Sequence, residues 1–283
     1  MKYFAWLLII SVLITPRLPA QTQPPKGEPT NAREAAAQNK KPNSLTSEEQ
    51  AAYEAMVARL PPDEQAWEKT LQQNLGGFYF PIHQKDRIAG KVTAWSFVKD
   101  IPGQPRVLII GDSISRGYTM AVNRALAGVA NVHRAPANCG PTKAGLEKLD
   151  IWLNGEKWDY ITMNFGIHDR NTLPDEYRSN LEVLVKRLQQ TGAKVIWVRT
   201  TPAPEGPNNE KYVSAQCDQV NKVADEVMQK EKIPLVDLYG AVLPRIAELQ
   251  IPNNVHFTGP GYEVMGGEVA KAIREQIAAN KVP

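Results

Sequence analysis

The chain has 283 residues, 42% of them hydrophobic and 22% charged, with a formal net charge of +3. That composition is globular and long enough for one substantial core and an accessory segment. A near-neutral balance, with no basic cluster interleaved with aromatics, excludes an electrostatic nucleic-acid partner.

Met1-Lys2 is a short positive end, Tyr3 to Ile14 is almost entirely apolar, and Leu18-Pro-Ala20 precedes Gln21. This pattern reads as a secretory signal peptide over residues 1–20, cut after Ala20. An uncleaved anchor is the alternative, but the stretch falls short of the roughly 20 residues that span a bilayer. Removing Lys2 and Arg17 lowers the charge from +3 to +1. The expected location is secreted or periplasmic, with no membrane span after cleavage. Residues 21–45 are rich in Gln, Pro, Asn, Lys and Ala and read as a flexible linker.

Residues 46–105 read as a helical N-terminal extension. Ser47 precedes Glu48-Glu49, and Tyr53, Met56, Val57 and Leu60 recur at helical spacing up to Pro61-Pro62. A second helix is expected from Asp63 to Leu75, ending at Gly76-Gly77. Phe78 to Pro105 shows no clear period.

From Arg106 the pattern alternates. Strands are expected at Val107–Ile110, Val132–Ala135, Tyr160–Phe165, Val195–Val198 and Ile233–Val236. Helices are expected near 116–128, 143–154, 175–191, 209–231 and 261–279. Such alternation predicts an α/β fold: a three-layer, doubly wound, parallel five-stranded sheet over residues 106–283. Its active site belongs at the carboxyl ends of the strands. Cys139 and Cys217 match no zinc spacing and are expected as unpaired small apolar residues. Trp152, Trp158 and Trp197 are expected in the core or at its rim.

Four patches carry candidate chemistry. Gly111-Asp112-Ser113 ends the first strand, and Ser113 is either a nucleophile or the cap of the next helix. It is not a G-x-S-x-G elbow, because Ser115 follows Ile114. Ala137-Asn-Cys-Gly-Pro-Thr142 follows the second strand and offers the Gly140 amide. Met163-Asn-Phe-Gly-Ile-His-Asp-Arg170 follows the third, with Gly166 permitting close backbone approach and His168 able to donate from its ring. Asn253-Asn-Val-His-Phe-Thr-Gly-Pro-Gly-Tyr262 precedes the last helix. His256 in it is either a general base or a surface histidine. No phosphate-binding glycine motif follows the first strand. His168, Asp169 and His256 lack the spacing of a metal site, and no cofactor is expected.

In this order, the four patches resemble the SGNH, or GDSL-like, serine hydrolase superfamily over about residues 106–280. The resemblance implies a sheet of flavodoxin-like type, with Ser113 as nucleophile and His256 as base. It implies the amides of Ser113 and Gly140, with His168, as the oxyanion hole. Two positions depart from the family pattern. His168 stands where the family has an asparagine donor, and Asn253 stands where it has the orienting aspartate, with Asn254 beside it. Asp237 and Glu263 are the other acids close by; Asp237 reads as a loop cap. The activity implied is a serine esterase acting through a Ser-His dyad and an acyl-enzyme on a short-chain ester, such as O-acetyl groups on a carbohydrate. The alternative is a catalytically impaired protein that binds glycans or partners. The expected partner is a small-molecule or carbohydrate ester; oligomeric state is open.

Overall fold

A computed structural model describes residues 44–204 and 214–280. The expected signal peptide, and all but the last two residues of the expected linker, lie outside the described residues.

Three helices come first: α1 (Ser47–Val57), α2 (Pro62–Asn74) and α3 (Gly76–Ile88). Thr46 and Glu49 form a capping box that starts α1. The helix α3 departs from the sequence expectation, which stopped at Gly76-Gly77. Gly76 does take a left-handed φ of 69° to end α2, but α3 begins there without a loop. The paired glycines and Pro81 inside the helix hide its period. A buried polar knot joins the three helices. Glu68 accepts from the Tyr53 hydroxyl at 2.7 Å, lies 2.7 Å from His83 Nε2, and pairs with Arg87 Nε at 2.9 Å. Leu71, Leu75 and Trp95 form the small apolar core beside it.

The sheet contains β1 (Arg106–Ile110), β2 (Asn131–Arg134), β3 (Tyr160–Met163), β4 (Lys194–Val198) and β5 (Leu235–Val236). All pairings are parallel in the order β2-β1-β3-β4-β5: the parallel sheet that the alternating pattern predicted, in the flavodoxin-like winding that the resemblance implied. Helices α4 (Ser113–Ala125), α5 (Thr142–Leu153), α6 (Pro174–Gln190), α7 (Ser214–Lys230) and α10 (Gly259–Ala279) cover both faces. Successive side chains of a strand face opposite ways. Val107 and Ile109 therefore join Val122 of α4 and Val269 of α10 in one core, while Leu108 and Ile110 join Leu149 of α5 and Leu181 of α6 in the other. This is why β1 is apolar without alternation.

Between β5 and α10 no helix was expected. The structure has two short helices there, α8 (Leu238–Val242) and α9 (Ile246–Leu249). Cys139 and Cys217 are buried and unpaired, and Trp152, Trp158 and Trp197 are buried. Among the described residues no helix is long and apolar enough to cross a membrane.

Candidate active site

The turn after β1 settles which residue caps α4. Asp112 is the N-cap, its side chain accepting from Ile114 N at 2.9 Å. Ser113 is the first helical residue, so its hydroxyl is not spent on capping. It faces His256 instead, with Oγ 2.8 Å from Nε2. Ser113 also stands at the positive dipole end of α4.

His256 is held by a closed loop. Gln250 and Phe257 form an antiparallel bridge, and Ile251 N donates to His256 O at 3.0 Å. Gln250 Nε2 ties the loop to Pro202 O beyond β4 at 2.9 Å. Val255 and Phe257 are buried in the core on either side of His256.

The partner of the other ring nitrogen is Asn254, not Asn253. Asn253 occupies a left-handed turn with φ 56°. Asn254 Oδ1 lies 2.7 Å from His256 Nδ1 and also accepts from His256 N at 3.0 Å. An atom that accepts from a backbone N–H is the carbonyl oxygen of the amide. It therefore accepts from Nδ1–H as well, which leaves the Nε2 lone pair facing Ser113. Neither nearby acid reaches His256: Asp237 caps α8 by accepting from Gly240 N and pairs with Arg199, and Glu263 pairs with Arg124.

Burial holds the His256 conjugate acid below the ordinary histidine value. The charges of Arg116 and His168 push it the same way, and Asp112 opposes them. An uncharged asparagine does nothing to raise it.

The other expected residues gather at the same sheet edge. Gly140 takes a φ of 67° in the loop after β2, a conformation that admits glycine at no steric cost. His168 is about one-third exposed, with Nε2 3.8 Å from Asp112 Oδ2. Gly166 lets the β3 loop press on the segment after β4: a Cβ there would lie 2.5 Å from Thr200 Oγ1. Asp169 accepts from Thr142 N at 2.9 Å and from Thr142 Oγ1 at 2.6 Å, which locks the Gly140 loop to the His168 loop. It is fully buried, and burial raises its pKa against those hydrogen bonds.

Arg134 has no counterpart among the residues expected from sequence. It ends β2, is 2% exposed, and donates to Gly111 O at 2.9 Å, Asp112 O at 2.8 Å and Ser115 Oγ at 2.7 Å. The guanidinium thus grips both carbonyls of the turn that carries Ser113. The one visible signal was a charged residue in a strand otherwise bound for the core.

Among solved structures, a lipase/acylhydrolase from Enterococcus faecalis matches with a TM-score of 0.55 at 26% identity, covering 61% of this chain and 97% of that one. An acetylxylan esterase from Geobacillus stearothermophilus matches with a TM-score of 0.52 at 18% identity, covering 60% and 94%. A third, an acetyl xylan esterase, matches with a TM-score of 0.52 at 15% identity, covering 59% and 99%. The family model described as GDSL-like lipase/acylhydrolase matches residues 109–264, more than half of the chain. The chain belongs to the GDSL-like lipase/acylhydrolase family of the SGNH superfamily.

Proposed function

We propose that this chain is a serine esterase that removes short acyl groups, O-acetyl groups of a carbohydrate foremost, through a covalent acyl-enzyme. The observation that carries the reading is the 2.8 Å approach of Ser113 Oγ to a His256 nitrogen whose lone pair Asn254 leaves free. Ser113 Oγ attacks the ester carbonyl while His256 Nε2 takes its proton, then returns it to the leaving alcohol. The amides of Ser113 and Gly140 and the ring of His168 receive the charge that develops on the carbonyl oxygen. Water deprotonated by His256 then cleaves the acyl-enzyme. The polar setting of Asp112, His168 and Asn254 suits a small acyl group better than a long chain. Two structural relatives described as acetylxylan esterases support the carbohydrate reading, and the expected signal peptide supports an exported enzyme.

The missing carboxylate favours one other reading, a binding protein in which the serine is no longer activated. A fluorophosphonate decides between them. Covalent labelling mapped by peptide mass analysis to Ser113, with turnover of p-nitrophenyl acetate, is the expected result. An unlabelled Ser113 would sink the esterase.

Asn254→Asp is expected to raise kcat by about tenfold or more, because a carboxylate stabilises the imidazolium as well as orienting it. The sign for pH follows from the base being active when neutral. With its pKa held down, His256 stays neutral to lower pH, so the acid limb of kcat/KM lies below the ordinary histidine value of about 6.5. A negative charge at 254 favours the protonated ring and moves that limb upward. An unmoved limb in Asn254→Asp would show that residue 254 does not govern His256.

A further inference from the structure

One helical turn beyond Ser113 on α4 stands Arg116. Residues three apart on a helix share a face, so this side chain leaves the helix on the side of the nucleophile. Among the described residues Arg116 makes no ion pair and no side-chain hydrogen bond, and its Nε is buried without a partner. Its guanidinium is held by rings instead. It lies 5.4 Å from the Tyr79 centroid and 5.7 Å from the Trp95 centroid, both in the N-terminal extension. Stacking of this kind positions a cation without using its N–H donors.

The space beside it is a cavity of about 290 Å³. The hydrolase domain contributes Arg116, Met120 and Tyr262, and the extension closes the other side with His83, Asp86 and Trp95. The remaining charges there are already matched. Asp86 pairs with Lys91 at 3.0 Å, and His83 with the buried Glu68 at 2.7 Å. Arg116 is the group left with donors and charge to give. A planar guanidinium with free donors recognises an oxyanion, often through two parallel hydrogen bonds.

We infer that Arg116 and the extension form a subsite for an anionic substituent, so that the preferred substrate is an acetylated saccharide that also bears a carboxylate or a sulfate. This rests on the esterase reading and adds to it the acidic class of the sugar. It also accounts for residues 46–105, which supply the rings that aim Arg116 and the far wall of the subsite.

The test compares acetate release from a mono-O-acetylated methyl glucuronoside, a mono-O-acetylated and sulfated methyl glucoside, and a neutral mono-O-acetylated methyl glucoside. The expected result is a kcat/KM at least about tenfold higher for one or both anionic esters, carried mainly by KM and shrinking as salt rises. The two anionic arms distinguish carboxylate from sulfate. In Arg116→Gln the ratio of anionic to neutral kcat/KM should fall toward one, while Arg116→Lys keeps part of it. A native ratio near one, or a ratio unmoved by Arg116→Gln, would overturn the subsite. Calorimetry with methyl glucuronoside and 6-sulfated methyl glucoside reads the same subsite without turnover. Binding that Arg116→Gln weakens about tenfold supports it even if no ester is cleaved, in which case only the esterase reading fails. Absence of binding by both sugars, or binding indifferent to Arg116, overturns the subsite even if the neutral ester is cleaved.

Discussion

Ser113→Ala is expected to lower kcat for acetate release by at least about 10³-fold, and His256→Ala by a similar factor. In a serine hydrolase with a full carboxylate triad the loss reaches about 10⁶-fold. A smaller loss is expected here because the proposed mechanism starts from a neutral third residue and a less stabilised imidazolium. The more searching measurement is the double variant. Ser113 Oγ and His256 Nε2 share one hydrogen bond, and in the proposed mechanism each acts only through the other. Ser113→Ala combined with His256→Ala should therefore be no slower than either alone, the residual rate coming from the oxyanion donors and binding. Multiplicative losses would mean that the two residues act independently, and the proposed proton transfer would be wrong. Circular dichroism of each variant separates chemistry from folding.

Arg134→Met is expected to cost about 1.5–3 kcal/mol of stability, a fall in melting temperature of roughly 5–10 °C for a domain of this size. Burial lowers the Arg134 pKa, the direction expected of a charge taken out of water. Three accepting oxygens and the Trp95 ring, 5.6 Å away, offset that cost. Methionine fills much of the volume but takes the charged donor from Gly111 O and Asp112 O, leaving them only Cys139 N, Arg116 N and the Ser115 hydroxyl, and hydrogen bonds from a charged donor are the stronger ones. Because those carbonyls belong to the Ser113 turn, kcat should fall with stability. Arg134→Lys should recover little, since one ammonium cannot reproduce a fork that spans two carbonyls and a hydroxyl. A melting temperature unchanged in Arg134→Met would show that the turn holds itself.

The fold was largely legible before the structure. A strand buried on both faces must be apolar throughout, and β1 carries that demand openly in Val107–Ile110. The alternation of such runs with amphipathic stretches leaves one economical arrangement, a parallel sheet between two helical layers. Where local signals conflict, legibility ends. The α3 helix begins with two glycines and contains a proline, so its propensity argues against a helix that tertiary packing imposes. The α8 and α9 segments are too short to show a period.

The candidate site divides in the same way. Residue types and their order along the chain placed Ser113, Gly140, His168 and His256 at strand ends or before the last helix. That follows from sequence because a parallel sheet gathers all its carboxyl-end loops at one edge. What only the tertiary structure decided is who touches whom. Ser113 and His256 are 143 residues apart, and hydrogen bonding is settled at a fraction of an ångström. A left-handed turn at Asn253 passes the ring nitrogen to Asn254. Asp112 takes the cap and frees the serine. Arg134 and Arg116 are ordinary basic residues in sequence. Burial against the nucleophile turn makes the first a structural clamp, and the aromatic rings of the extension hold the second with its donors unspent among the described residues. Side-chain chemistry is written in the sequence, but the solvent exposure and the partners that direct it depend on contacts distant in the chain.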